Sequence, residues 1–321
     1  MSTCVRIVAA AIGAIVAGPG LGVAQPYPSK PLRIIVPFPP GAATDITGRF
    51  VAQKIGEALR QQAIVDNRPG ANGTIGLELA AKAPPDGHTL VIGQTGNLAI
   101  SPGLTKVGYD PVRDFAPVSL LIASPHVLAV HPSLPVRSLK EVVALGRARP
   151  GQLNYASTGS GSAGHLGMEL LKKATRMDIV HVPYKGAIPG LTDLAAGHVV
   201  LMFTSVLSTA QIGNKVRRLA VGSLQRSASL PDVPTIAESG YPGFKVETMF
   251  ILLAPAGLPK DIAALLEREA RAGATAPDLQ DKFRKLDLRT IGSTATEAKA
   301  EIAGDAELWA RVIEAAHMKI Q

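Results

Sequence analysis

The chain has 321 residues, of which 46% are hydrophobic, 18% charged and 4% aromatic, a globular composition with room for one large or two medium domains. Its formal charge of +8 is scattered rather than gathered, and aromatics do not interleave with the bases, so no nucleic-acid partner is expected; the charge reads as a basic surface that at most steers anions. Cys4 is the only cysteine, which excludes an intrachain disulfide and a cysteine-built metal site.

Residues 1–24 read as a secretory signal peptide. Arg6 gives a positive start, 7–16 is an apolar run too short to span a bilayer, and Gly22 and Ala24 supply small residues for cleavage after Ala24. Cys4 precedes the apolar run, whereas a lipid-anchored cysteine would follow it. The expectation is a soluble periplasmic protein whose mature chain has no thiol nucleophile.

Residues 33–36 are β-branched and bounded by prolines, so they read as a strand. Pro37, Pro39, Pro40 and Gly41 stop regular structure, and Thr44 or Asp45 can cap a helix whose apolar positions are Ile46, Phe50, Val51, Ile55 and Leu59. Strand, rigid turn and helix N-terminus aim unpaired N–H groups and the positive end of a helix dipole at one spot, which suits an anion without any charged side chain. A strand at 63–66, a turn-rich loop at 67–73, a helix at 75–82 and a buried strand at 89–93 follow. A polar loop, Gln94 to Asn97, ends that strand. Alternating β and α predicts a mostly parallel sheet flanked by helices, with ligands at the carboxyl ends of its strands.

Two apolar runs, 118–122 and 127–130, flank Ser124 and Pro125. A helix at 138–147 opens with a capping box of Ser138 and Glu141. The opening design then recurs as strand 153–157, loop 158–162 and helix 163–175, a second α/β unit with its own anion-ready loop. Strand 178–182, helix 188–196 and strands 199–203 and 218–221 continue it, a loop-rich exit covers 231–243, and helices at 260–271 and 296–316 finish the chain.

Gly159, Gly161 and Gly164 match the dinucleotide fingerprint, but the next strand ends in Val182-Pro183-Tyr184-Lys185 and offers no acid for a ribose. Ser162 sits one residue away from a nucleophile elbow, yet His165 lies on the same helix and cannot reach it across a cleft as a triad base. The seven histidines form no H-x-x-x-H pair, so no metal is expected. An enzyme is therefore not expected, nor a cofactor.

The segments 27–41 (YPSKPLRIIVPFPPG), 67–73 (NRPGANG), 85–90 (PDGHTL), 109–111 (YDP), 155–162 (YASTGSGS), 181–186 (HVPYKG) and 230–235 (LPDVPT) resemble the Bug family, the extracytoplasmic solute receptors of tripartite tricarboxylate transporters. The resemblance spans the mature chain. It implies a two-lobed, type II-like α/β periplasmic binding protein, a hinge-closing Venus flytrap with each lobe a mostly parallel sheet flanked by helices. The lobes would be 25–124 with 245–321, and 125–244. Its partners would be a small organic carboxylate and the integral-membrane permease subunits, or alternatively a sensor, with the receptor itself a monomer.

Carried over by position, the first loop supplies Phe38, Pro39, Gly41, Ala42, Ala43, Thr44 and Asp45, and the second Ser157, Thr158, Gly159, Ser160, Gly161, Ser162 and His165. Thr95, after the third strand, and Thr204 complete the candidate contacts. The family holds the ligand carboxylate through loop backbone and bound waters rather than an arginine. Asp45 would repel an acid, so it is assigned first to capping and second to a ligand amine or hydroxyl. The chain departs from the family at Ala42, where glycine is usual, at Thr204, where aspartate is frequent, and at Met249, where tryptophan is frequent. The second departure favours a plain carboxylate over an amino acid.

Overall fold

A computed structural model describes residues 27–315; the expected signal segment lies outside them. Strand β1 (Leu32–Val36) alternates its side chains between two cores, because both faces of the sheet are covered. Ile34 and Val36 face helix α1 (Ala43–Leu59) with its Phe50, Val51 and Ile55, while Ile35 packs against Leu77 of α2 (Thr74–Ala81). Strands β2 (Ala63–Asn67) and β3 (Thr89–Gln94) pair with β1 in parallel, one on each side, as expected.

Several segments differ from expectation; three shape the sheets, and among the others are short elements at 206–210, 277–285 and 289–290 that the sequence reading does not include. The polar loop after β3 is absent: the chain enters a π-helical turn, Gly96–Ile100, directly, followed by the short α3 (Ser101–Leu104). The two apolar runs around Pro125 are one sixteen-residue strand, β4 (Phe115–Val130). Pro117 and Pro125 are accommodated because pairing is irregular after Pro117 and reaches its end with β9 at Pro125.

The second half contains α4 (Leu139–Ala148), β5 (Asn154–Ser157), α5 (Ala163–Thr175), β6 (Val180–Pro183), α6 (Ala187–Ala196), β7 (Leu201–Ser205), α7 (Val206–Ala210) and β8 (Arg217–Val221). Ser138 caps α4 through the Glu141 N–H, and Glu141 reaches back to the N–H of Arg137, so the capping box forms with its second bond shifted by one residue. The third difference lies beyond the loop-rich exit, where β9 (Glu247–Pro255) inserts antiparallel between β3 and β4. Helices α8 (Lys260–Ala274) and α9 (Pro277–Lys285), strand β10 (Arg289–Thr290) and helix α10 (Ala295–Ala315) complete the described chain. None of the described helices is long and apolar enough to cross a membrane.

The strand order reveals an internal repeat. One lobe reads β2-β1-β3-β9-β4, and the other reads β6-β5-β7-β4-β8. Each has three parallel strands, one antiparallel strand and a fifth that runs with the first three; in the first the two-residue β10 adds to β4. The first part of β4 is the fifth strand of one lobe, and its last part is the antiparallel strand of the other. Helix α10 ties the two together. Its Trp309, Val312 and Ile313 join a core that contains Ile100 from the first lobe and Leu128, Tyr155 and Leu171 from the second.

Helix α5 lies unusually near β7. A Cβ on Gly164 would stand 2.2 Å from the carbonyl oxygen of Phe203, and one on Gly167 2.7 Å from the Phe203 ring. Backbone cannot yield as a flexible side chain can, so Gly164→Ala should destabilise the fold by at least ~2 kcal/mol. Gly304→Ala, on α10 with open space around it, should be neutral or stabilise by up to ~1 kcal/mol. Denaturant unfolding of both variants tests this; equal stabilities would mean that α5 can lift away from β7.

Candidate functional site

Register places the two anion-ready loops. Strand β3 ends at Gln94, opposite Phe250 of β9, which faces Ile122 of β4. Strand β7 ends at Ser205, opposite His126 of β4. Because β3 runs along β4 and β7 runs against it, the carboxyl ends of the two parallel sets point toward each other. They stop four residues apart on β4, about 13 Å of strand. The loops after β1 and β5 leave from these same ends.

In the first loop, Gly41 takes φ +85°, and Ala42 precedes the helix with no side-chain cap. Neither Thr44 nor Asp45 caps α1, because both already lie inside its first turn. Thr44 instead donates toward Gln94 Oε1 at 3.4 Å. Asp45 Oδ2 accepts from the Gly41 N–H and from Arg49 Nε, each at 2.9 Å, while its Oδ1 accepts from Asn67 Nδ2 at 2.9 Å. Asn67 also donates to the Phe38 carbonyl, so the end of β2 and the loop are clasped together. Burial pushes the Asp45 carboxyl upward, but the bonds from Arg49, Gly41 and Asn67 outweigh it and hold it below the usual carboxylate range. The N–H groups of Ala43, Thr44 and Asp45 find no acceptor among the described residues. Phe38 and Ala42 are half-buried beside them, and Pro39 and Gly41 are exposed.

In the second loop, Ser162 caps α5 by accepting the His165 N–H at 3.3 Å, and its own N–H donates to the Gly159 carbonyl. Gly159 has φ +135° and Gly161 φ +76°, conformations that side chains on Cβ disfavour. Gly161 N–H donates to His165 Nδ1 at 3.1 Å. The His165 ring stacks on His181 with centroids 3.7 Å apart, and His181 stacks in turn on Tyr155. Ser157 is buried, Thr158 and Ser162 are half-buried, and Ser160 is exposed. The N–H groups of Ala163 and Gly164 have no acceptor among the described residues.

The two remaining candidates stand apart from this pattern. Thr95 accepts the Met249 N–H at 3.0 Å and donates to Asp305 Oδ2 at 3.1 Å, so its hydroxyl joins β9 to α10. Thr204 is buried on β7 opposite Val127 of β4. Sequence reasoning missed Asn67 and Gln94 as loop partners; only their place at strand ends pointed to them. A cavity of about 610 Å³ lies elsewhere, between 223–228 and 284–290 at the edge of the crossing. Its cations are already paired, Arg226 with Glu238, Lys245 with Glu301, Arg284 with Asp281 and Arg289 with Glu247. At the two loops, by contrast, first-turn N–H groups are without acceptors among the described residues.

Burial lowers three histidines, His126 and His181 to about 4 and His165 to about 3; the neighbouring His181 and Lys172 add to the last. The unfolded chain protonates histidine near about pH 6.5, so between there and about 4 unfolding takes up protons and stability falls with acidification. Asp305 acts in the opposite sense, since burial raises it to about 6 and its protonation below that relieves the fold. The net expectation is uptake of about two protons on unfolding near pH 5. The melting temperature should therefore drop between pH 7 and pH 4.5, a slope that thermal unfolding across that range measures.

Residues 47–318 match the family model of the tripartite tricarboxylate transporter family receptor. Protein BugT of Bordetella pertussis is 34% identical over 321 residues, covering 97% of this chain and 98% of its own. The structure of R. palustris Rpa4515 with adipate superposes with a TM-score of 0.81 at 34% identity, over 91% of this chain and 99% of that one. MatC (Rpa3494) from Rhodopseudomonas palustris with bound malate gives 0.77 at 29% identity, over 89% and 100%. The chain belongs to the tripartite tricarboxylate transporter receptor family, the Bug proteins, and has their two-lobed periplasmic-binding-protein fold.

Proposed function

We propose that the protein is an extracytoplasmic receptor that captures a small carboxylate between its lobes and delivers it to a tripartite tricarboxylate-type membrane permease. One observation carries the reading. The two loops offer N–H donors at the first turns of α1 and α5, while the only acid in them, Asp45, is already bonded to three donors. Such a site attracts anions and leaves its one carboxylate little capacity for an ammonium group. The ligand is therefore an amine-free acid. The adipate and malate bound by two relatives are of that class.

In this reading Phe38, Pro39, Gly41, Ala42, Ala43, Thr44 and Asp45 line one side of the cleft. Ser157, Thr158, Gly159, Ser160, Gly161, Ser162 and His165 line the other, and hydroxyls of Thr44, Ser160 and Ser162 orient bridging waters. The lobes are 25–124 with 245–321, and 125–244, and they close by bending where β4 and the segment before β9 cross between them. Secretion to the periplasm, with removal of 1–24, delivers the protein to its permease.

Calorimetric titration should find dicarboxylates such as adipate and malate bound at least ~10-fold more tightly than aspartate or glutamate, a difference of about 1.4 kcal/mol. Gly159→Val, which forces a β-branched residue to φ +135°, should weaken binding at least ~100-fold, whereas Arg68→Ala and Lys185→Ala should each change it less than ~3-fold. An indispensable Arg68 or Lys185 beside a normal Gly159→Val would mean that a side-chain salt bridge holds the acid.

Ligand should also shrink the radius of gyration in solution scattering, as expected of two lobes closing on it. Superimposable curves for free and saturated protein would argue that the lobes form one rigid body.

A further inference from the structure

His181 lies outside both loops, yet it touches the second one in two ways. Its ring is sandwiched between Tyr155, 4.9 Å away, and His165, 3.7 Å away with only 11° between planes. Its Nε2 lies 2.7 Å from Ser157 Oγ. That hydroxyl also lies 3.0 Å from the Gly159 carbonyl and 3.2 Å from the Gly159 N–H. A serine has one proton to give, so a single assignment satisfies all three contacts. Ser157 donates to the Gly159 carbonyl, and accepts from the Gly159 N–H and from His181 Nε2–H. On the other ring, His165 Nδ1 accepts the Gly161 N–H, so its proton also sits on Nε2. That N–H has no acceptor among the described residues.

We propose that His181 is the positioning residue of the second anion loop, holding Gly159 through Ser157 and Gly161 through His165 in the one arrangement that turns the α5 N–H groups and His165 Nε2–H toward the ligand. The proposal rests on the carboxylate reading above and adds a residue that contacts no ligand atom. It accounts for the otherwise unused stack. A loop with two glycines at positive φ has many alternatives in the free chain, and something outside it must select one. The groups facing the stack from its surroundings are Tyr155 on β5 with Glu169 and Lys172 on α5. Tyr155 donates to Glu169 at 2.6 Å, Lys172 pairs with Glu169, and its ammonium sits 5.9 Å over the Tyr155 ring. This set fixes Tyr155, which in turn seats His181.

The two functions of the ring can be separated. His181→Phe keeps a stacked ring but loses the bond to Ser157; His181→Gln keeps a donor toward Ser157 but loses the stack; His181→Ala loses both. Amide hydrogen exchange of the ligand-free protein reads the two glycines independently. His181→Phe should accelerate exchange at Gly159 at least ~10-fold with Gly161 near the parent rate, and His181→Gln should do the reverse. His181→Ala should accelerate both and weaken adipate binding at least ~10-fold, and Ser157→Ala should reproduce the Phe variant's pattern. Should His181→Phe fail to fold, His181→Leu, which likewise offers Ser157 no donor while Ser157 stays in place, carries the Gly159 half of the test alone. Protection of both amides in the Ala variant, or an equal rise of both in the Phe and Gln variants, would overturn the assignment and leave His181 an ordinary packing residue. If the parent does not bind adipate, the carboxylate reading fails on that ligand, while the exchange pattern still decides the role of His181.

Discussion

The first turn of an α-helix contains N–H groups that its own geometry cannot satisfy, and the candidate site is built from that constraint. Two helices, α1 and α5, each begin one short loop after a buried strand, and neither first turn is closed over by the chain. The rest of the local structure keeps it so. Asp45, which could have folded onto its own helix, is drawn back to Gly41, Arg49 and Asn67. Ser162 takes one N–H of α5 and leaves those of Ala163 and Gly164. Close seating of α5 on β7, possible only with glycine at 164 and 167, brings its N-terminus to the end of that strand.

Much of this was legible in the sequence because it is local. The β-branched run at β1, the Pro-Gly punctuation after it and the helical spacing of Phe50, Val51 and Ile55 all concern neighbours within one turn or one pleat. Helix α5 spans the residues expected of it, and Ser138 and Ser162 cap as short polar residues do. What escaped is what depends on distant partners. Strand β9 follows a stretch of turn residues, is buried on both faces so shows no alternation, and finds its partners in β3 and β4, more than a hundred residues earlier. Asn67, Gln94 and Thr95 look like ordinary loop polar residues until the fold sets them against Asp45, Thr44 and Asp305. The supposed helix cap at Asp45 failed for a local reason, since α1 starts two residues earlier and Asp45 lies inside its first turn, and its oxygens go to Gly41, Arg49 and Asn67.

Electrostatically the molecule separates two regions. At the edge of the crossing, four cations are each matched by an acid, so that region is stitched by pairs and presents little net field. At the loop ends the donors are dipoles rather than charges. Such donors lose no counterion and need no side-chain ordering when an anion arrives. The scattered positive formal charge, +8 for the full chain, then has a kinetic rather than a specific meaning, favouring the approach of acids in general.

The sharing of β4 has a consequence for how the chain assembles. Residues 126–130 of that strand find both their neighbours by residue 221, so the second lobe can complete its sheet from a nearly contiguous stretch of chain. The first lobe cannot. Its sheet is split until β9 arrives, and Phe115 must wait for Pro255 to be made or unravelled into place. Contacts of such long sequence separation close late and slowly. The sheet that begins the chain is thus the last to close, and until then β3 and the first part of β4 present strand edges open to mispairing.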